Sequence, residues 1–181
     1  MLFDTKQIIL KDGRTAILRS PCVADAEKLL NCSKQWSRET DFLSRYPEEW
    51  NLTIGQEETW ITRLRSAPDK LGIVCYVEGE LAGSCEIRFS TLAKTSHRAS
   101  IAIALLKDYW NLGIGSTMLA ELIGAAQHHG TEIMELEFIA GNDRARHLYE
   151  KFGFCIVAEI PKAFKLKDGT YLNEFHMQKH L

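Results

Sequence analysis

No stretch of this chain approaches the roughly 20 consecutive apolar residues of a membrane span. Its first residues, Met1 to Lys6, lack the basic-then-apolar pattern of a secretion signal. An excess of one charge is missing too. Lys and Arg number 22 against 24 Asp and Glu, a net −2, without the basic footprint that nucleic-acid binding needs. The five cysteines (Cys22, Cys32, Cys75, Cys85, Cys155) show no Cys-x-x-Cys pair and no Cys–His ligand spacing. Reduced thiols, mostly buried in apolar segments, are expected in a cytoplasmic protein with no bound metal and no membrane partner. Repeats, low-complexity runs and linkers are absent. With 181 residues and 45% hydrophobic content, the chain reads as one compact domain over 1–181.

What is present begins at Ala99. The small, β-branched and apolar run Ala99 to Leu106 reads as a strand buried on both faces. After a short turn, Leu112-Gly113-Ile114-Gly115-Ser116 opens a helix. Such a turn aims unpaired backbone N–H groups at one spot, where the positive end of the helix dipole also falls. That is a seat for a phosphate or pyrophosphate. Two glycine-loop chemistries lose here on their residues. A P-loop needs Lys-Ser/Thr after its last glycine, and Gly115 is followed by Ser116-Thr117-Met118. A dinucleotide fold needs a third glycine, and Leu119 stands in its place, past mid-chain.

The second informative stretch runs from Leu136 to Phe154. A strand over Glu132 to Ile139 ends in Ala140-Gly141, and Asn142 or Asp143 caps the helix that follows, with Arg146 in reach of its acidic start. Ala145, Leu148, Tyr149 and Phe152 share one face of that helix, and Gly153 closes it. Elsewhere, hairpin turns are predicted at Lys11-Asp12-Gly13 and Lys167-Asp168-Gly169. Helices are predicted from Pro21–Asp25 to about Trp36 and over Gln56 to Ser66, and strands over Leu71 to Val77 and Leu81 to Phe89. The two final strands, Phe154 to Leu166 and Thr170 to Gln178, complete an order unlike a regular βαβ alternation.

These two stretches, in this order and spacing, resemble the GNAT superfamily of acyl-CoA-dependent N-acyltransferases. The signatures are Gly113-x-Gly115 after a strand, and Asn142-x-x-Ala145-x-x-Leu148-Tyr149 ending in Phe152-Gly153-Phe154. Trp110 departs from the Gln or Arg usual three residues before the first glycine. It resembles the branch containing ribosomal-protein N-terminal acetyltransferases.

The resemblance covers nearly the whole chain and implies an α+β fold: a twisted, mixed, mostly antiparallel sheet flanked by about four helices. It implies acetyl-CoA as cosubstrate, lying between two central strands that splay apart. Backbone groups near Ile103, Ala104 and Leu105 would pair with the pantetheine arm as an added strand would. The amides of Leu112, Gly113, Ile114, Gly115 and Ser116 would take the pyrophosphate, with Trp110 and Asn111 shaping the loop entrance. Asn142 would bond the cofactor arm beside Ala145, and Tyr149 would protonate the departing thiolate. A backbone N–H near Leu105 would polarise the thioester carbonyl. The acceptor implied is a primary amine, on a small molecule or a protein N-terminus. A homodimer through the C-terminal strands is a state common among relatives.

An alkyl ammonium has a pKa near 10, so some group must take its proton. Glu137, matching the glutamate proposed as base in that branch, leads; Glu86 on a neighbouring strand is the other candidate. Each is equally explained as a solvated or ion-paired strand residue. The irregular segment from Ser37 to Gly55, with Trp36, Arg38, Glu39, Phe42, Tyr46 and Trp50, is the place for acceptor contacts, or else a lid packed on the core. Its carboxylates (Glu39, Asp41, Glu48, Glu49) suit a cationic acceptor or simply a solvated loop. The six histidines read as structural, without zinc spacing. The competing reading of the whole chain is a sensor or partner-binding module that binds acyl-CoA without turnover.

Overall fold

A computed structural model describes residues 1–181. Eight strands form one sheet: β1 (Lys6–Ile9), β2 (Thr15–Arg19), β3 (Lys70–Val77), β4 (Glu80–Phe89), β5 (Arg98–Leu105), β6 (Ile133–Ile139), β7 (Cys155–Lys165) and β8 (Tyr171–His180). Four helices, α1 (Ala26–Glu39), α2 (Ile54–Ser66), α3 (Ile114–His129) and α4 (Asp143–Lys151), flank it. The spatial order is β1-β2-β3-β4-β5-β6-β8-β7. Every neighbouring pair is antiparallel except β5 and β6. This is the mixed α+β architecture expected. No helix is long and apolar enough to cross a membrane.

The sheet is covered on both faces. α3 and α4 cover one, where Met118, Leu119 and Leu122 pack with Ile87, Phe89, Met134 and Phe154 in a cluster of 24 buried residues. A smaller cluster of 8 seats α1 and α2 on the other face through Leu29, Trp36, Ile61 and Val74. The start of α1 is clamped to the sheet by a buried carboxylate. Asp25 accepts two bonds of 2.7 Å from the Arg19 guanidinium, one of 2.6 Å from the Tyr76 hydroxyl and one of 2.7 Å from the Cys22 amide. Burial alone would push its carboxyl up. Arg19 and Tyr76 outweigh that and hold it well below the usual carboxylate range.

One ladder is cut short. β4 and β5 stay paired from Phe89↔Ala99 to Gly83↔Leu105, and β6 and β8 from Ile133↔His180 to Ile139↔Glu174. Between β5 and β6 the parallel ladder covers only Arg98↔Ile133 to Ser100↔Glu135. Beyond that the two strands run apart to Leu105 and Ile139, and the sheet opens into a V. β5 is held to β4 at its far end by a bulge at Ala82, whose carbonyl accepts the Leu106 amide at 3.0 Å. Gly83 permits that approach: a Cβ there would lie 2.4 Å from the Ala104 carbonyl oxygen.

The V corrects the reading of Ala99 to Leu106 as buried on both faces. Ala99 and Ile101 are buried, Ser100 and Ala102 are exposed, and Ile103 to Leu105 are half-buried. The run is apolar because it borders a cleft as well as a core.

Candidate active site

The open half of the V continues into a cavity of about 380 Å³ lined by β5, β6, α4 and the segment after α1. Alternation along β5 decides which backbone groups face it. The Leu106 amide points to β4, so those of Ile103 and Leu105 point into the gap. Ala104, expected to share that role, turns its backbone towards β4 and leaves its methyl on the face covered by α1 and α2.

At the mouth of the gap the chain forms a short turn (Lys107–Tyr109) and then enters α3. Asn111 and Gly113 adopt φ of +64° and +96°, the latter a conformation that glycine takes without Cβ strain. None of the amides from Asn111 to Ser116 finds an acceptor in the protein. The last three begin a helix, so their alignment with its dipole is built in. Ile114 is fully buried and offers only its backbone. Gly115 serves packing as well: a Cβ there would meet Leu148 at 3.3 Å and Leu105 at 3.4 Å. The Leu112 carbonyl accepts the Lys11 amide at 3.2 Å, fixing the loop to the first hairpin.

Trp110 braces this loop. Its indole Nε1 donates to the Leu105 carbonyl at 2.9 Å, and the Arg144 guanidinium stacks over its ring at 4.0 Å. Arg144 also donates to Asn111 Oδ1 at 3.2 Å. A cation thus stands between the unpartnered amides and the start of α4, where it reinforces a phosphate seat. Arg146, expected to face the acidic start of α4, bonds Glu150 at 2.8 Å instead, one turn further on.

Asn142 caps α4, its Oδ1 accepting the Ala145 amide at 3.2 Å. The cap leaves the Asn142 Nδ2 free beside the cavity that Ala145 and Tyr149 also line. Tyr149 is 7% exposed. Its ring packs on Phe138 and Phe154 at 6.2 and 6.0 Å. Its hydroxyl has no hydrogen-bond partner in the protein, and burial pushes its pKa up to about 12. It is therefore a phenol, and a donor, across the physiological range.

Residues 31–154 match the model of the acetyltransferase (GNAT) family. The chain belongs to that family. A GNAT-family acetyltransferase from Streptococcus pneumoniae superposes with a TM-score of 0.85 at 28% identity, covering 92% of this chain and 99% of that one. YncA of Salmonella typhimurium, a putative acetyltransferase solved with acetyl-CoA, superposes at 0.77 and 17% identity, covering 91% and 92%. The L-amino acid N-acyltransferase MnaT of Escherichia coli (strain K12) is 27% identical over 85 residues, 47% of this chain. That match spans about half, 49%, of MnaT.

The two candidate bases of this GNAT protein occupy different places. Glu137 is exposed and lines the same cavity as Tyr149. His176 of β8, directly opposite it, lies 3.8 Å from the Glu137 carboxylate and 3.1 Å from that of Glu174. These three side chains bring potential ligand atoms within 4.8 Å of one another. The His176–Glu174 hydrogen bond and the exposure of Glu137 account for them without an ion. Strand register, invisible in sequence, is what brings His176 opposite Glu137.

Glu86 faces a second, larger cavity of about 600 Å³ beneath α1 and α2, which meets the first at Trp36, Leu43 and Ala102 to Ala104. Its carboxylate is also 3.2 Å from Arg88.

Of the expected acceptor contacts, Phe42 lines the first cavity and lies against Gly141. Arg38, Glu39 and Tyr46 sit outside both cavities. Arg38 is exposed. Glu39 accepts the Lys107 amide at 2.8 Å and ties α1 to the turn before the glycine loop. The Tyr46 hydroxyl accepts the Lys167 amide at 3.0 Å, with the Lys167 ammonium over its ring at 4.2 Å and paired with Glu48. The Ser37 to Gly55 segment is thereby strapped to the β7–β8 hairpin. Trp36 and Trp50, named with that segment, line the second cavity, where they meet Trp60 and Glu57, for which no such expectation arose from the sequence.

Proposed function

We propose that this protein moves an acetyl group from acetyl-CoA to a primary amine by direct attack, with Tyr149 as the donor to the departing sulfur. The single observation that carries the reading is the Tyr149 hydroxyl, without a partner in the protein, in the cavity where the sheet splits. The split exposes strand amides on one side and loop amides on the other. Membership of the GNAT family and the acetyl-CoA held by YncA support the choice of cosubstrate.

The Ile103 and Leu105 backbone pairs with the amide-bearing arm of the thioester, and the amides of Leu112 to Ser116, with Arg144, take its pyrophosphate. The amine lone pair attacks the carbonyl carbon while the Leu105 amide bonds the oxygen that gains charge. As the C–S bond breaks, the Tyr149 hydroxyl bonds the sulfur. With the phenol near 12 and a thiol near 8.5, outright transfer is uphill. The phenol therefore gives its proton only as another arrives from the new ammonium. Glu137, through water, takes the ammonium proton before the attack and passes it to solvent, which frees the lone pair. Atoms balance as an amide and a free thiol.

Titration calorimetry with acetyl-CoA and CoA, followed by thiol release over an amine panel, tests this. Binding at micromolar concentration with thiol release on an amine is expected. CoA binding without release on any amine favours the sensor reading, and no CoA binding overturns the proposal.

A further inference from the structure

The second cavity is larger than the first, and the chemistry assigned to Tyr149 uses none of its far wall. That wall contains Glu57, in the first turn of α2, 9% exposed. Its carboxylate makes no hydrogen bond and no ion pair with any group of the protein, and burial is the sole influence on it, pushing its pKa up. Burying an unpaired carboxylate is costly unless something completes it. The α2 dipole favours an acid in this turn, but that benefit needs no burial. Trp36, which lines both cavities, buries its indole Nε1 without an acceptor. On that wall Glu57 is thus a carboxylate without a partner in the protein.

The remaining walls specify the partner. Trp36, Trp50 and Trp60 present aromatic surface, Leu29 and Leu52 add apolar surface, and Glu86 supplies a second carboxylate on the sheet side. Aromatic faces and carboxylates together suit an alkylammonium. The one cation of this lining, Arg45, is solvent-exposed and stacks on Trp50 at 4.9 Å.

We infer that the second cavity binds an acceptor with two amino groups joined by an aliphatic chain, the distal ammonium pairing with Glu57 while the other amine reaches the junction at Ala102 and Trp36. The inference rests on the acetyl-transfer reading for the fate of that second amine, but binding at Glu57 does not depend on turnover. A monoamine of equal length fills the same apolar walls and leaves Glu57 unpaired.

Tryptophan fluorescence titration tests it, because three indoles line the cavity. Putrescine should saturate the wild-type protein at a concentration about tenfold below that for butylamine, the effect of one desolvated charge-assisted contact. Glu57→Gln should erase the difference while leaving the calorimetric affinity for CoA unchanged. Equal affinity for the two amines in the wild-type protein would overturn the proposal without need of any variant. So would a putrescine preference that survives Glu57→Gln, or tighter binding of L-methionine, whose carboxylate would select Arg45. Thiol release separates the two levels. Putrescine bound without release keeps this site and sinks the transfer reading. Release with equal KM for both amines keeps transfer and sinks the diamine.

Discussion

The two halves of the cleft are built in opposite ways. The half that faces α3 and α4 is made chiefly of backbone: the freed edge of β5, six loop amides and the cap of α4. Its ingredients lie in two short stretches, 99–119 and 136–154. The half beneath α1 and α2 is made of side chains gathered from β3, β4, β5, both helices and the segment between them. Main-chain donors persist when side chains change, whereas a site made of side chains can be retuned in shape and charge without disturbing the fold.

Each expected outcome separates the halves further. The largest concerns the clamp under α1. Asp25→Ala should cost about 3 kcal/mol, the lower end for a broken buried pair, because Arg19 keeps some solvent. Chemical denaturation measures it, and the loss should loosen the acceptor half before the glycine loop. The clamp also sets a pH signature. A carboxyl depressed in the folded state contributes stability that is present above its unfolded pKa, about 3.9, and is lost as pH falls below it. Asp25→Asn should flatten that acid limb.

Next, Tyr149→Phe should lower kcat by about 10²-fold with CoA affinity unchanged by calorimetry. A parallel loss of affinity would make the hydroxyl a binding group. Gly83→Ala places a methyl on the Ala104 carbonyl and must push β5 off its course. A loss of about 1–3 kcal/mol, read as a lower Tm, should accompany weaker CoA binding, since the same edge borders the gap. The smallest effect is expected for Arg144→Gln, a rise in acetyl-CoA KM of about fivefold with the amine KM unmoved.

Legibility followed the same division. Both hairpins, the helix capped by Asn142 and the glycine loop could be read because each is a local device: a turn glycine, an Asn cap, an apolar period. Asn142 as a cap followed from the start of its helix, while Tyr149 was singled out by the resemblance of that helix to the family's. The Arg38, Glu39 and Tyr46 expectations rested on proximity in sequence to an aromatic segment. That segment spends Glu39 on the Lys107 amide and Tyr46 on the far hairpin, contacts between residues 68 and 121 positions apart. Glu57 carried no signal at all, because a glutamate early in a helix is the ordinary choice for its dipole.

The amino-acid sequence by itself determined the family, the order of elements and the glycine turn before α3, since these depend on residues near one another along the chain. Only the tertiary structure decided that β5 and β6 part after three pairs. It also decided that Glu137 faces His176, and that a carboxylate on α2 lines the second cavity. Strand register and helix docking are set by packing over the whole core, and no short window of sequence contains them.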